Sequence, residues 1–187
     1  SGDPLYSKAR NSMGAKLEPA DEALIKGFAE SALSLYERRR QIEVYIENSM
    51  EQVAPNLKHI AGPMLGARLI SLAGSLEKLA EFPSSTIQVI GASKALFKHL
   101  RARAPSPKHG IIYSHPLVNT AQWWLRGKVA RAVASKLSLA ARIDFYSGEK
   151  DPSLMEKLEA KVLQIRTLNP RPPQKKQESG VKLKKRR

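Results

Sequence analysis

Residues 82–143 read FPSSTIQVIGASKALFKHLRARAPSPKHGIIYSHPLVNTAQWWLRGKVARAVASKLSLAARI, and these 62 residues hold no Asp and no Glu against ten Lys or Arg and three His. The cations are Lys94, Lys98, Arg101, Arg103, Lys108, Arg126, Lys128, Arg131, Lys136 and Arg142. Before Phe82 the chain instead carries eleven acidic and ten basic residues, so the positive charge is segregated. A stretch without carboxylates to neutralise its cations projects a field that attracts a polyanion and releases that polyanion's counterions on contact, which is the electrostatic signature of nucleic-acid binding. The competing reading is a solvated basic face, which a single Lys-rich helix usually is; here the bias spans several expected elements.

Gly91-Ala92 precedes a helix from Ser93 to Arg103, with Leu96, Phe97 and Leu100 expected to face inward. Lys94, Lys98 and Arg101, at i, i+4 and i+7, then share the opposite face. Residues 104–110 form a loop, because Pro105 and Pro107 exclude a helix and Gly110 supplies backbone freedom, so Lys108 and His109 are held out at its tip. Ile111-Ile112-Tyr113 reads as a buried extended segment. A further helix follows Trp123-Trp124, with Val129, Val133 and Leu137 inside and Arg126, Lys128, Arg131 and Lys136 displayed. The two Trp suit either base stacking or core filling, and at least one is expected in the core. The candidate nucleic-acid-contacting set is Lys94, Lys98, Arg101, Arg103, Lys108, His109, Arg126, Lys128 and Arg131.

Working towards the N-terminus, Leu57, Ile60, Met64, Leu65, Leu69, Leu72, Leu76 and Leu79 recur at helical spacing and read as core, broken or kinked at Gly62-Pro63. His59 reads as a structural histidine. Upstream, Pro19, Asp21 and Glu22 mark a helix start, and Pro55 its stop. Within that helix Ile25, Phe28, Ala32, Leu35, Arg39, Ile42, Ile46, Ser49 and Val53 step by threes and fours, a coiled-coil seam interrupted by Arg39 and Ser49; an ordinary bundle helix has the same periodicity. Ser1-Gly2-Asp3-Pro4 lacks an initiator Met and reads as a processed or engineered end, so an upstream extension is expected.

Towards the C-terminus, Asp151-Pro152 starts a helix with Leu154, Leu158, Val162 and Ile165 as its apolar stripe, ending before Asn169-Pro170. Arg171 to Arg187 contains eight cations and one acid and almost no large apolar residue, so residues 169–187 are expected to be a disordered polybasic tail. Its role as a phosphate clamp, a localisation signal or a solubilising end stays open.

The 187 residues, with 42% hydrophobic residues and net charge +15, are enough for one domain plus appendages. With no Cys, a disulfide framework, a Cys-ligated zinc site and a thiol nucleophile are excluded. No apolar run reaches the ~20 residues of a membrane span. Phosphate-loop, nucleophile-elbow and zinc-protease motifs are absent, and His99, His109 and His115 have no evident orienting partner, so neither catalysis nor a cofactor or metal is expected.

Ile90-Gly91-Ala92-Ser93-Lys94-Ala95-Leu96-Phe97-Lys98, followed by Ser106-Pro107-Lys108-His109-Gly110-Ile111-Ile112-Tyr113, resembles the signature of the Nop-domain family. Ala54-Pro55-Asn56-Leu57, Leu65-Gly66-Ala67-Arg68-Leu69-Ile70, Ala73-Gly74-Ser75-Leu76, Ser85-Thr86-Ile87-Gln88 and Leu139-Ala140-Ala141-Arg142-Ile143-Asp144 extend the resemblance in order and spacing, over roughly Asn11 to Glu149. Two departures are Ser93, where the family commonly has Glu, and Lys98, where Arg is common.

The resemblance implies an all-α fold: a partial coiled coil at 1–53, a Nop domain at 54–168 and the basic tail. It implies a non-enzymatic core scaffold of box C/D ribonucleoproteins, the particles that guide ribose methylation. The partners it implies are box C/D guide RNA containing a kink-turn, a small ribosomal-protein-like protein already bound to that kink-turn, the methyltransferase fibrillarin through an N-terminal domain not contained in this chain, and a second copy through the complete coiled coil; no membrane is implied. A spliceosomal relative with the same domain, or a helical protein-interaction module with an incidental basic face, are the alternatives. The short tail without long Lys-acidic repeats points to an archaeal, cytoplasmic member rather than a nucleolar one.

Overall fold

The computed structural model describes Gly14, residues 17–102 and residues 104–173. Arg103, and residues 174–187 of the expected tail, lie outside them. All regular structure among the described residues is helical: α1 (Pro19–Val53), α2 (Pro55–Ala61), α3 (Pro63–Ala73), α4 (Leu76–Glu81), α5 (Ser84–Val89), α6 (Ser93–Ala102), a 3-10 turn (Ile111–Ser114), α7 (Pro116–Asn119), α8 (Arg126–Tyr146) and α9 (Ser153–Leu168). No helix among these residues is long and apolar enough to cross a membrane. The chain divides into two compact units, Ser1–Val44 and Tyr45–Arg187.

In the first unit, α1 opens on Pro19 with Asp21 and Glu22 in its first turn, as the sequence signals require. Ile25, Phe28, Leu35 and Ile42 of the expected seam are more than half exposed. Arg39, which interrupts the seam, donates from Nε to Glu43 Oε1 at 2.9 Å, so its charge has a carboxylate one turn on.

The second unit is built around α8, against which α2, α4, α5, α7 and α9 pack. Its sequence allows this: Val129, Val133 and Leu137 supply apolar bulk, while Ala130, Ala134, Ala140 and Ala141 let neighbouring helices approach closely from several sides, and all seven are fully buried. Leu57, Leu69, Leu79, Ile87, Ile112, Leu154 and Leu158 close the core from the surrounding elements, each worth about 1.5–3 kcal/mol of burial. Not every apolar residue at helical spacing joins it. Met64 and Leu72 are about half exposed, and His59 is exposed rather than a core histidine, because α2 and α3 bury only one face each.

Two junctions hold the helices in register. Gly62, at φ 76°, ends α2 and frees Pro63 to begin α3, a backbone conformation that L side chains resist. At the start of α2, Ala54 has no side chain with which to cap, and the carboxylate of Asp144 from α8 takes that place: Oδ1 accepts from Asn56 N (3.0 Å) and Oδ2 from Leu57 N (2.8 Å). Asn56 completes the junction, donating from Nδ2 to Asp144 Oδ1 and to the Glu149 carbonyl and accepting from Asp151 N, each at 2.7 Å. One Asp–Asn pair thus fixes the start of α2, the end of α8 and the approach to α9.

His115 is oriented after all, though for structure. It is 2% exposed; Nε2 donates to the Ile60 carbonyl at 2.9 Å and Nδ1 accepts from Leu117 N at 3.2 Å, capping α7. That arrangement fits only the neutral ring, and burial lowers its pKa against the opposing pull of the Ile60 carbonyl. Below the unfolded histidine value of 6.5 the unfolded chain takes up a proton that the folded ring resists, so this site's contribution to stability is complete above that pH and declines as pH falls below it. Denaturant titrations between pH 8 and 5 should show that decline, and His115→Asn, which keeps an acceptor for Leu117 N but does not titrate, should flatten it. A parallel decline in the variant would assign the pH dependence elsewhere.

Candidate nucleic-acid interface

The basic stretch is arranged by two glycines. Gly91 ends the α5 segment at φ 79°, and a Cβ there would meet Ile111 Cγ2 at 2.3 Å; a Cβ on Gly110 would lie 1.9 Å from the Ile90 carbonyl oxygen. The loop and the α5–α6 turn therefore touch backbone to backbone, with Gly110 N donating to Gln88 O (2.8 Å) and Ile111 N to Ile90 O (2.9 Å). Gln88 Nε2 adds a bond to the Lys108 carbonyl at 2.8 Å. Residues 104–110 are in this way pinned against the end of α5 and the α5–α6 turn although they contain no regular structure. Ile111–Ser114 is a 3-10 turn rather than an extended segment, since its amides bond within the turn and no neighbouring strand offers a ladder; Ile112 alone of the three apolar residues is fully buried.

Around the pinned loop lies a cluster of cations and rings. Lys108 Nζ stands 5.8 Å from the centroid of Trp123, His109 stacks on Tyr113 at 4.8 Å with an interplanar angle of 20°, and the Arg126 guanidinium sits 5.5 Å over Tyr113. These are distances at which a cation feels the ring quadrupole. Lys108 is exposed as expected at the loop tip, but His109 is half-buried against Tyr113 instead of projecting. Burial, then the Arg126 and Lys108 charges, lower the His109 pKa, which favours a neutral ring flanked by two cations at pH 7. The Trp pair divides as anticipated: Trp123 is 57% exposed, while Trp124 packs on the core and donates from Nε1 to the Asn169 carbonyl at 3.2 Å.

On α6, Lys94, Lys98 and Arg101 are all exposed, with Arg101 4.6 Å over Phe97. The expectation for the other face fails. No α6 residue is buried, and Phe97 and Leu100 are 57% and 73% exposed, because no other helix packs broadly on α6; its periodicity defines an apolar face without supplying a cover. Lys128 and Arg131 separate from Lys108 and Arg126. Lys128 lies two residues from Arg126, about 200° round the helix, where its ammonium meets Asn169 Oδ1 and, with Arg131, lines a groove between α8 and α9. Among the described residues, none of these cations forms an ion pair; such pairs involve Glu22, Glu43, Glu47 and Glu51. No group of acidic, His or Cys side chains among the described residues is placed to hold a metal.

A family profile described as "Nop: snoRNA binding domain, fibrillarin" matches residues 4–166. The chain belongs to the Nop family. An uncharacterised NOP5 family protein of Methanocaldococcus jannaschii is 52% identical over 168 residues, 90% of this chain and 41% of that protein. Nucleolar protein 56 of Homo sapiens is 40% identical over 158 residues, 84% of this chain and 27% of that protein. Among solved structures, a chain of the fibrillarin/Nop5p complex superposes with a TM-score of 0.64 at 34% identity, over 87% of this chain and 59% of that one. This Nop chain therefore spans less than half the length of these curated relatives. Ile90, Gly91, Gly110 and Ile111 of the signature quoted above make the close contacts of the loop with the α5–α6 turn, so this part of the family pattern encodes a docked loop.

Proposed function

We propose that this Nop chain is a scaffold segment of a box C/D ribonucleoprotein, binding kink-turn RNA together with a ribosomal-protein-like partner already seated on it. One observation carries the composite reading: α6 presents exposed Lys94 and Lys98 beside uncovered Phe97 and Leu100, and Lys108 and His109 of the loop that follows it cluster with Tyr113, Arg126 and exposed Trp123. Cations alone suit phosphates; large apolar side chains left in water suit a protein. Lys94, Lys98, Arg101, Lys108 and Arg126 are assigned to phosphates and His109 and Trp123 to bases. Arg103 joins the set from sequence alone. Fibrillarin, with which the related Nop5p is solved, would be held by a region outside this chain, and a second copy by the complete α1 seam. The higher identity to the archaeal relative than to human nucleolar protein 56 supports an archaeal origin.

The test is a mobility-shift titration of kink-turn RNA with and without the pre-bound partner. Partner-loaded RNA should bind far more tightly than bare RNA, because two weak surfaces engaged at once multiply; equal affinities would sink the composite reading. Lys94→Ala, Lys98→Ala, Arg101→Ala and Lys108→Ala should each reduce the salt slope by about 0.7–0.9. A cation whose removal leaves the slope unchanged is not at the interface. A helical module binding only protein would show no salt-dependent RNA shift at all.

A further inference from the structure

The groove between α8 and α9 is not explained by the loop and α6 surface. It has a volume of about 600 Å3 and is lined by Lys128, Arg131 and Lys136 from α8 and Lys157 and Lys161 from α9. The residues come in two stripes, one on each helix, and over Lys128–Lys136 the cations extend about 12 Å along α8 at 1.5 Å per residue. No carboxylate lines it. Asp151, just before α9, accepts from Ser153 N at 3.0 Å and from its hydroxyl at 2.5 Å; the Ser153 hydroxyl bond first, and less strongly the charges of Lys157 and Lys136, lower its pKa, so those two Lys lie towards the Asp151 end. Lys128 marks the other end through Asn169. The polybasic sequence from Arg171 onwards is covalently tethered there.

We infer that this groove is a second RNA track, one that holds the phosphate backbone of a duplex independently of sequence. The inference rests on the RNA-binding reading above and extends it to a separate surface. Charge complementarity favours a polyanion, and the floor decides against an apolar peptide. Leu158 is fully buried, Ala132 offers only a methyl group and Ile165 is half-buried against the core, so the floor gives little purchase to the large side chain that anchors a protein partner. The remaining apolar lining consists largely of Lys and Arg stems, which cover the floor while their charged ends reach water. With no exposed ring in the groove, base reading is not expected; backbone contact alone gives affinity that depends steeply on salt and little on sequence.

The test uses the full chain with a 24-base-pair RNA duplex of arbitrary sequence and with the partner-loaded kink-turn RNA. Lys157→Ala/Lys161→Ala alters two exposed α9 side chains and should leave the melting curve unchanged. For the duplex, it should reduce the salt slope by about 1.5 and the affinity by roughly tenfold at 0.1 M salt. An unchanged slope for this variant, while Lys98→Ala or Lys108→Ala still weakens the kink-turn complex, would overturn the groove and leave the RNA-binding reading standing. Absence of RNA binding by the unaltered chain would overturn both. Selective loss of binding to a poly-Glu peptide, with duplex binding intact, would reassign the groove to an acidic protein and overturn the inference.

Discussion

Asp144→Ala is expected to destabilise the Nop domain by about 3–5 kcal/mol, far beyond an average substitution. The carboxylate is 8% exposed and accepts three hydrogen bonds, from Asn56 N, Leu57 N and Asn56 Nδ2. Truncation leaves two amides at the start of α2 without partners and releases the Asn56 side chain that holds Glu149 O and Asp151 N. Asp144→Asn should fall between, since its one oxygen can serve one amide while its NH2 opposes the other. Urea unfolding with an unchanged m-value measures the loss. In a double-mutant cycle Asn56→Ala and Asp144→Ala should be strongly non-additive, because each removes the other's partner. A loss below about 1 kcal/mol for Asp144→Ala would show that water replaces the carboxylate and that this junction does not set the register.

That junction also shows where sequence reasoning stops. Pro19, Pro55, Gly62-Pro63 and Asp151-Pro152 announced helix boundaries because Pro and Gly act on their own backbone, and those boundaries stand. Val129, Val133 and Leu137 are identifiable as core because the stripe continues for just over two turns. Asn56 and Asp144 were visible only as separate fragments of family text: nothing local pairs residues 88 apart in sequence. The error on α6 has a different cause. A helical stripe at Leu96, Phe97 and Leu100 reports which face is apolar, and burial depends on whether another element arrives to cover it. For the candidate site, the acid-free run found the cations but not their grouping: Lys128 and Arg131 share a groove with Lys157 and Lys161, which lie in a later helix that also carries acids. Charge counting along the chain averages over helix faces and so missed the two α9 lysines.

Gly110→Ala is expected to undo the candidate interface more completely than the loss of any one cation. A Cβ 1.9 Å from the Ile90 oxygen, with Val89 C and Ile90 C at 2.7 and 2.8 Å, meets backbone rather than a side chain that can swing away. The loop must lift, breaking the Gly110–Gln88 and Ile111–Ile90 bonds and loosening buried Ile112, at a cost of about 2–4 kcal/mol. Lifting carries Lys108 and His109 from their places beside Trp123 and Tyr113, so partner-loaded kink-turn RNA should bind roughly tenfold more weakly for each contact displaced. Gly27→Ala is the control: its Cβ meets nothing within 4 Å in the exposed α1, and exchanging Gly for Ala in a helix interior stabilises by up to about 1 kcal/mol. Stability and RNA affinity should therefore fall together in Gly110→Ala and neither should fall in Gly27→Ala. If Gly110→Ala lost stability but kept full affinity for the loaded RNA, the pinned loop would be structural only, and the RNA contacts would have to be sought on α6 and in the α8–α9 groove.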